Sequence, residues 1–69
     1  MDKKESYVVR VTGIANADDL FTWEICGADG LQVIRRSTKI FSTRVEAIFD
    51  SASYAALSAP EAMWQLFIS

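Results

Sequence analysis

Apolar and polar residues alternate along Tyr7-Val8-Val9-Arg10-Val11-Thr12, with Tyr7, Val9 and Val11 set against Val8, Arg10 and Thr12. Alternation of period two in a run rich in β-branched residues predicts a strand over 7–12 with one apolar face. Gly13 to Asp19 holds Gly, Asn and two Asp and reads as a loop. A second strand is expected over 20–26, where Phe21, Trp23 and Ile25 point one way and Thr22 and Glu24 the other. Gly27-Ala28-Asp29-Gly30 reads as a turn, because Asp-Gly supplies the positive φ that tight hairpins need. A third strand follows over 31–37. Its inward face stays open, since Leu31 and Val33 share one parity and Ile34 has the other.

The period then changes. Thr43-Arg44-Val45-Glu46 fits a capping box, and Val45, Ile48, Phe49, Ala52 and Ala56 follow at helical spacing, so a helix is expected over 43–57. Ser58-Ala59-Pro60-Glu61 repeats the capping pattern and predicts a second, short helix from Glu61 to about Ile68. That segment carries Met63, Trp64, Leu66, Phe67 and Ile68, with Gln65 nearly its only polar side chain. The expected fold is α+β: a three-stranded antiparallel sheet followed by a helix and a short apolar C-terminal helix. It forms one domain over 1–69, with 1–5 disordered. The expected core is Val9, Val11, Phe21, Trp23, Ile25, Ile48, Phe49 and Ala52. A short helix that is apolar on most sides has to be covered on several of them. Trp64 and Phe67 either plug the open end of the chain's own core or pack on a second subunit.

Size sharpens that choice. A domain of 69 residues buries only about 60% of the surface its unfolded chain exposes, so its core usually needs a supplement. Cys26 is the only cysteine and there is no histidine, which excludes an intramolecular disulfide and a Cys/His zinc site. A homodimer is the supplement left, with Trp64, Leu66, Phe67 and Ile68 as candidate interface residues. A hydrophobic fraction of 51% separates the chain from disordered sequences, and a net charge of -2 argues against a generic nucleic-acid binder. Asp2-Lys3-Lys4-Glu5-Ser6 has no apolar signal core behind it, and no apolar run approaches the roughly 20 residues of a membrane span. A cytoplasmic protein with no membrane partner is expected.

Candidate chemistry is sparse. A nucleophilic hydroxyl needs an adjacent base, and Lys39 is the only amine near Ser37, Ser42 and Thr43. Cap and turn roles account for Ser42 and Thr43 without chemistry. Nothing beside Cys26 marks it as a reactive thiol, and Asp18 and Asp19 lack the spaced oxygen ligands of a calcium loop. No catalytic residue, cofactor or metal is expected. Arg35, Arg36, Lys39 and Arg44 are four of the seven Lys and Arg and fall within ten residues. They either grip phosphate or an acidic partner, with Phe41 as a stacking platform, or protect an edge strand from pairing. Glu46 and Asp50 partly neutralise them. The expected function is a homodimeric interaction or structural module without catalytic activity. The alternative is anion or nucleic-acid binding through the basic third strand.

Phe21-x-Trp23-x-Ile25, the Asp29-Gly30 turn, Val33-Ile34 and then Ile40-Phe41-Ser42-Thr43-Arg44 together resemble the YegP-like family, small bacterial domains of uncharacterised function. The resemblance covers Phe21 to about Ala52. It implies a β-β-β-α unit completed by a second copy, which for a chain with one copy means a homodimer. It carries no catalytic or ligand residues, and the apolar C-terminal segment lies outside it.

Overall fold

The computed structural model describes residues 5–68; residues 1–4 of the expected disordered terminus lie outside it. The chain forms strand β1 (Ser6–Ile14), strand β2 (Ala17–Gly27), strand β3 (Val33–Arg36), helix α1 (Arg44–Ser58) and strand β4 (Met63–Ile68). They make one four-stranded mixed sheet in the order β3-β2-β1-β4, with α1 on one face. Two of the expectations fail here. The sheet is not three-stranded and antiparallel, and the C-terminal segment is not a helix.

The reason lies in β1. Its one edge pairs antiparallel with β2, matching Val9 to Ile25 and Val11 to Trp23. Its other edge would present a row of unsatisfied backbone groups. Met63–Ile68 fills that edge in parallel register, with Trp64 opposite Tyr7, Leu66 opposite Val9 and Ile68 opposite Val11. Glu5 is tied in as well, its carbonyl accepting the Met63 N–H at 2.8 Å. Trp64, Phe67 and Ile68 are aromatic or β-branched residues that favour strand. Ser58-Ala59-Pro60-Glu61 therefore closes a helix instead of opening one: Ala59 is the C-cap of α1, its N–H donating to the Ala55 carbonyl, and a turn follows.

The turns are tighter than expected. Residues 13–19 are mostly strand, because Ala15 and Asn16 alone make the β1–β2 turn, with Asn16 at φ 65°. Asn is among the few non-glycine residues that tolerate that conformation. In the β2–β3 connection Gly30 takes φ 72° and the Asp29 carboxylate accepts the Leu31 N–H at 2.9 Å. Leu31 is thereby left outside β3, which is shorter than the 31–37 expected.

Val9, Val11, Phe21, Trp23, Ile25 and Ala47 form the core, with Tyr7, Phe41, Ile48, Tyr54 and Trp64 packed around it. Five of the expected core residues are there. Phe49 and Ala52 are not: Phe49 is 69% exposed and Ala52 is also exposed. The buried line of α1 is Ala47, Ser51 and Ala55, spaced four apart. Small residues let the helix axis approach the sheet closely over Trp23 and Phe21, and the larger side chains rotate to the flanks. Thr43 caps α1 as expected, its hydroxyl accepting the Glu46 N–H at 3.1 Å.

The Ala47 contact has no room for a larger side chain. Ala47→Leu should lower stability by about 1–3 kcal/mol through overpacking, read as a lower urea midpoint at unchanged slope. An unchanged midpoint would show that the helix does not rest on this line.

Candidate interaction surface

At about 100° per residue, Val45, Phe49, Ala52 and Ala56 share a second line of α1, and all four are exposed. The opposite flank is fixed by contacts to the β2–β3 side. Asp50 accepts the Trp23 indole N–H at 2.9 Å, and the Tyr54 ring lies 5.4 Å from Trp23 and beneath Arg35. The apolar line therefore faces the β4 side of the sheet.

β4 adds to the same surface. Residues opposite one another in a strand pair point to the same face, so Trp64, Leu66 and Ile68 lie on the helix side with Tyr7, Val9 and Val11. Trp64 is held there, its ring 4.9 Å from Tyr7 and its indole N–H donating to the Ala59 carbonyl at 3.1 Å. Leu66 and Ile68 are 46% and 52% exposed, because α1 packs over β1 and β2 and stops short of them. Helix flank and strand thus make an L-shaped apolar ledge.

Among the described residues no strand pairs with the outer edge of β4. Since Met63 turns its N–H inward to Glu5, the alternation of backbone groups along a strand turns those of Trp64, Leu66 and Ile68 outward. β4 carries no charge, no proline and no bulge, the devices by which exposed edges are usually blunted. Met63 and Phe67 are on the other sheet face, both exposed. There the Ala28–Gly30 turn folds over Val8, and a cavity of about 440 Å³ opens between the turn and Phe67.

The four basic residues do not form one patch. Arg36 reaches Glu24 at 3.3 Å on the face away from α1, where Arg10 also binds Glu24 at 2.8 Å and donates to the Gly30 carbonyl at 2.6 Å. Arg44 lies over the Phe21 ring, 4.6 Å from its centre. Arg35 and Lys39 line a cleft beside Tyr54, to whose rim Arg36 also contributes. Phe41 is not a free stacking platform, because it bridges to Phe21 and packs on the core.

The remaining polar candidates do structural work. The Ser42 and Thr43 hydroxyls donate to Glu46, and Ser37 closes a local turn with Lys39. Cys26 is fully buried. Tyr7 donates to Glu5, and that bond, with some burial, raises the phenol pKa above its usual value. Among the described residues no group of three or more His, Cys, Asp or Glu is placed to hold a metal, and no helix is long and apolar enough to cross a membrane.

The apolar stripe of α1 has the spacing of a core face, yet it is the exposed flank of the helix. The buried line has its own signal: Ala47, Ser51 and Ala55 form a rival line of small residues at the same spacing. No family model, curated protein or solved structure matches the chain.

Glu24 holds two arginines at once and is itself only 20% exposed. Glu24→Gln should cost about 1–2 kcal/mol, whereas Arg36→Ser should change stability by less than about 0.5 kcal/mol. Thermal melts of the two variants check this; equal losses would mean that Arg36 carries the network.

Proposed function

We propose that this chain is a non-catalytic interaction module that works as a homodimer, joined through the outer edge of β4 and the apolar flank of α1. The observation that carries the reading is the ledge itself: Val45, Phe49, Ala52, Ala56, Leu66 and Ile68 exposed together beside an unblunted strand edge.

A second copy fits this surface for three reasons. A strand that pairs antiparallel with its own copy is related by a two-fold axis, and that axis returns the same surface to itself. The two sheets then continue as one, and the two helix flanks meet above the joined strands. With no charge on β4, self-pairing brings no like charges together. Finally, a standard interface buries roughly 800 Å² per partner, about a sixth of the 5119 Å² this chain exposes. The ledge and β4 edge offer four helix positions and most of a six-residue strand toward that area. The resemblance to YegP-like units points the same way. A cytoplasmic setting belongs to the proposal, in keeping with a single buried thiol at Cys26.

Sedimentation equilibrium tests it. The unmodified chain should approach twice 7.7 kDa as concentration rises, with a melting temperature that rises with concentration. Leu66→Asp and Phe49→Ser should each shift the mass to the monomer, Phe49→Ser with the circular dichroism of the fold retained. A 7.7 kDa species persisting at high micromolar concentration would overturn the proposal.

A further inference from the structure

We propose that the cleft between β3 and α1 binds a phosphate-type oxyanion on a small ligand, gripped by Arg35 and Lys39. The cleft has a volume of about 270 Å³. It lies on the opposite flank of α1 from the apolar ledge, so it does not depend on how the chain assembles.

Charge singles it out. The chain as a whole carries -2, yet Arg35, Arg36 and Lys39 line this cleft against one carboxylate, Asp50. Arg36 is drawn to Glu24 on the far face. Among the described residues neither Arg35 nor Lys39 has an ion-pair partner. Asp50 accepts the Trp23 indole N–H through Oδ2 and keeps its charge, so two unpaired cations face one carboxylate.

Geometry prepares the arginine. Its guanidinium lies 4.9 Å above the Tyr54 ring. Stacking occupies a face of the planar group and leaves its N–H edges to donate elsewhere. An arginine held this way loses less freedom when it binds, and its fork of donors matches the oxygens of a phosphate. Thr38 and Ser53 line the same space, and each carries a hydroxyl that can donate to an oxyanion. Size sets the ligand class: the volume is just below the roughly 300–1,000 Å³ of pockets that enclose a drug-sized molecule. A phosphate or pyrophosphate head group fits that scale, with the rest of the ligand outside. The larger cavity on the other face lacks this chemistry, because its Arg10 is already bound to Glu24 and Gly30.

The test is a titration of the ¹⁵N-labelled chain with inorganic pyrophosphate, followed by amide correlation spectra. Trp23 lines the cleft, so its indole N–H is a built-in reporter. The expected result is saturable shifts at that indole and at the Ser37, Thr38 and Lys39 amides, weakening as sodium chloride is raised. The Arg35→Ser/Lys39→Ser pair should bind about ten-fold more weakly or worse, while Arg35→Lys retains part of the affinity and Arg44→Ser leaves it unchanged. Dispersion of the same spectra shows whether each variant is folded. Shifts that are absent, that spread over all surface cations, or that survive in the folded double variant would overturn the proposal. So would binding of a short oligothymidylate without binding of pyrophosphate, which would assign the cleft to a nucleic-acid backbone.

Discussion

Strand β1 is hydrogen-bonded on both edges over Tyr7–Val11, to β2 on one side and to β4 on the other, and most of the structure follows from that. Val11, at its centre, is completely buried. The β2 side gives the sheet its antiparallel hairpin and the line of Phe21, Trp23 and Ile25 on which α1 rests. The β4 side is parallel, so the chain has to return to the start of β1 after the helix. The Ala59–Ala62 turn and the Trp64–Ala59 bond make that return. Pairing β4 with β1 satisfies one edge and exposes another, now carried by an apolar strand. The unsatisfied edge has been moved outward, not removed.

The same arrangement explains why so much apolar surface stays open. A single helix over β1 and β2 cannot also cover β4. Its closest approach uses Ala47, Ser51 and Ala55, and a helix set down on small residues must carry its large ones to the side. Polar groups divide by face in a similar way. Glu24 gathers Arg10 and Arg36 on the open face of the sheet, and Asp50, Tyr54 and Arg35 gather on the helix side.

What was legible in the sequence was what local pattern decides. Phe21, Trp23 and Ile25 alternate over a buried face, and the Thr43–Glu46 cap is a contact within one turn. Both are written in neighbouring residues. The C-terminal segment was not legible, because a short apolar run such as Met63–Ile68 has no period that separates helix from strand. What decides it is the free edge of β1, more than fifty residues away in the chain. The inward face of α1 does not follow hydrophobic size, because Ala47, Ser51 and Ala55 allow the closest approach to the sheet. The basic cluster looked compact within ten residues, but adjacent strand positions point to opposite faces, and Arg35 and Arg36 part for that reason.

The central claim is that the outer edge of β4 is a pairing surface for a second copy. Amide hydrogen exchange at Leu66 and Ile68 tests it most directly, since these N–H groups face outward and have no partner strand among the described residues. Their exchange should be fast in dilute solution and slow progressively as concentration rises, while the Val9 and Val11 amides of the central strand stay protected throughout. Exchange at Leu66 and Ile68 that remains fast at every concentration would contradict the account.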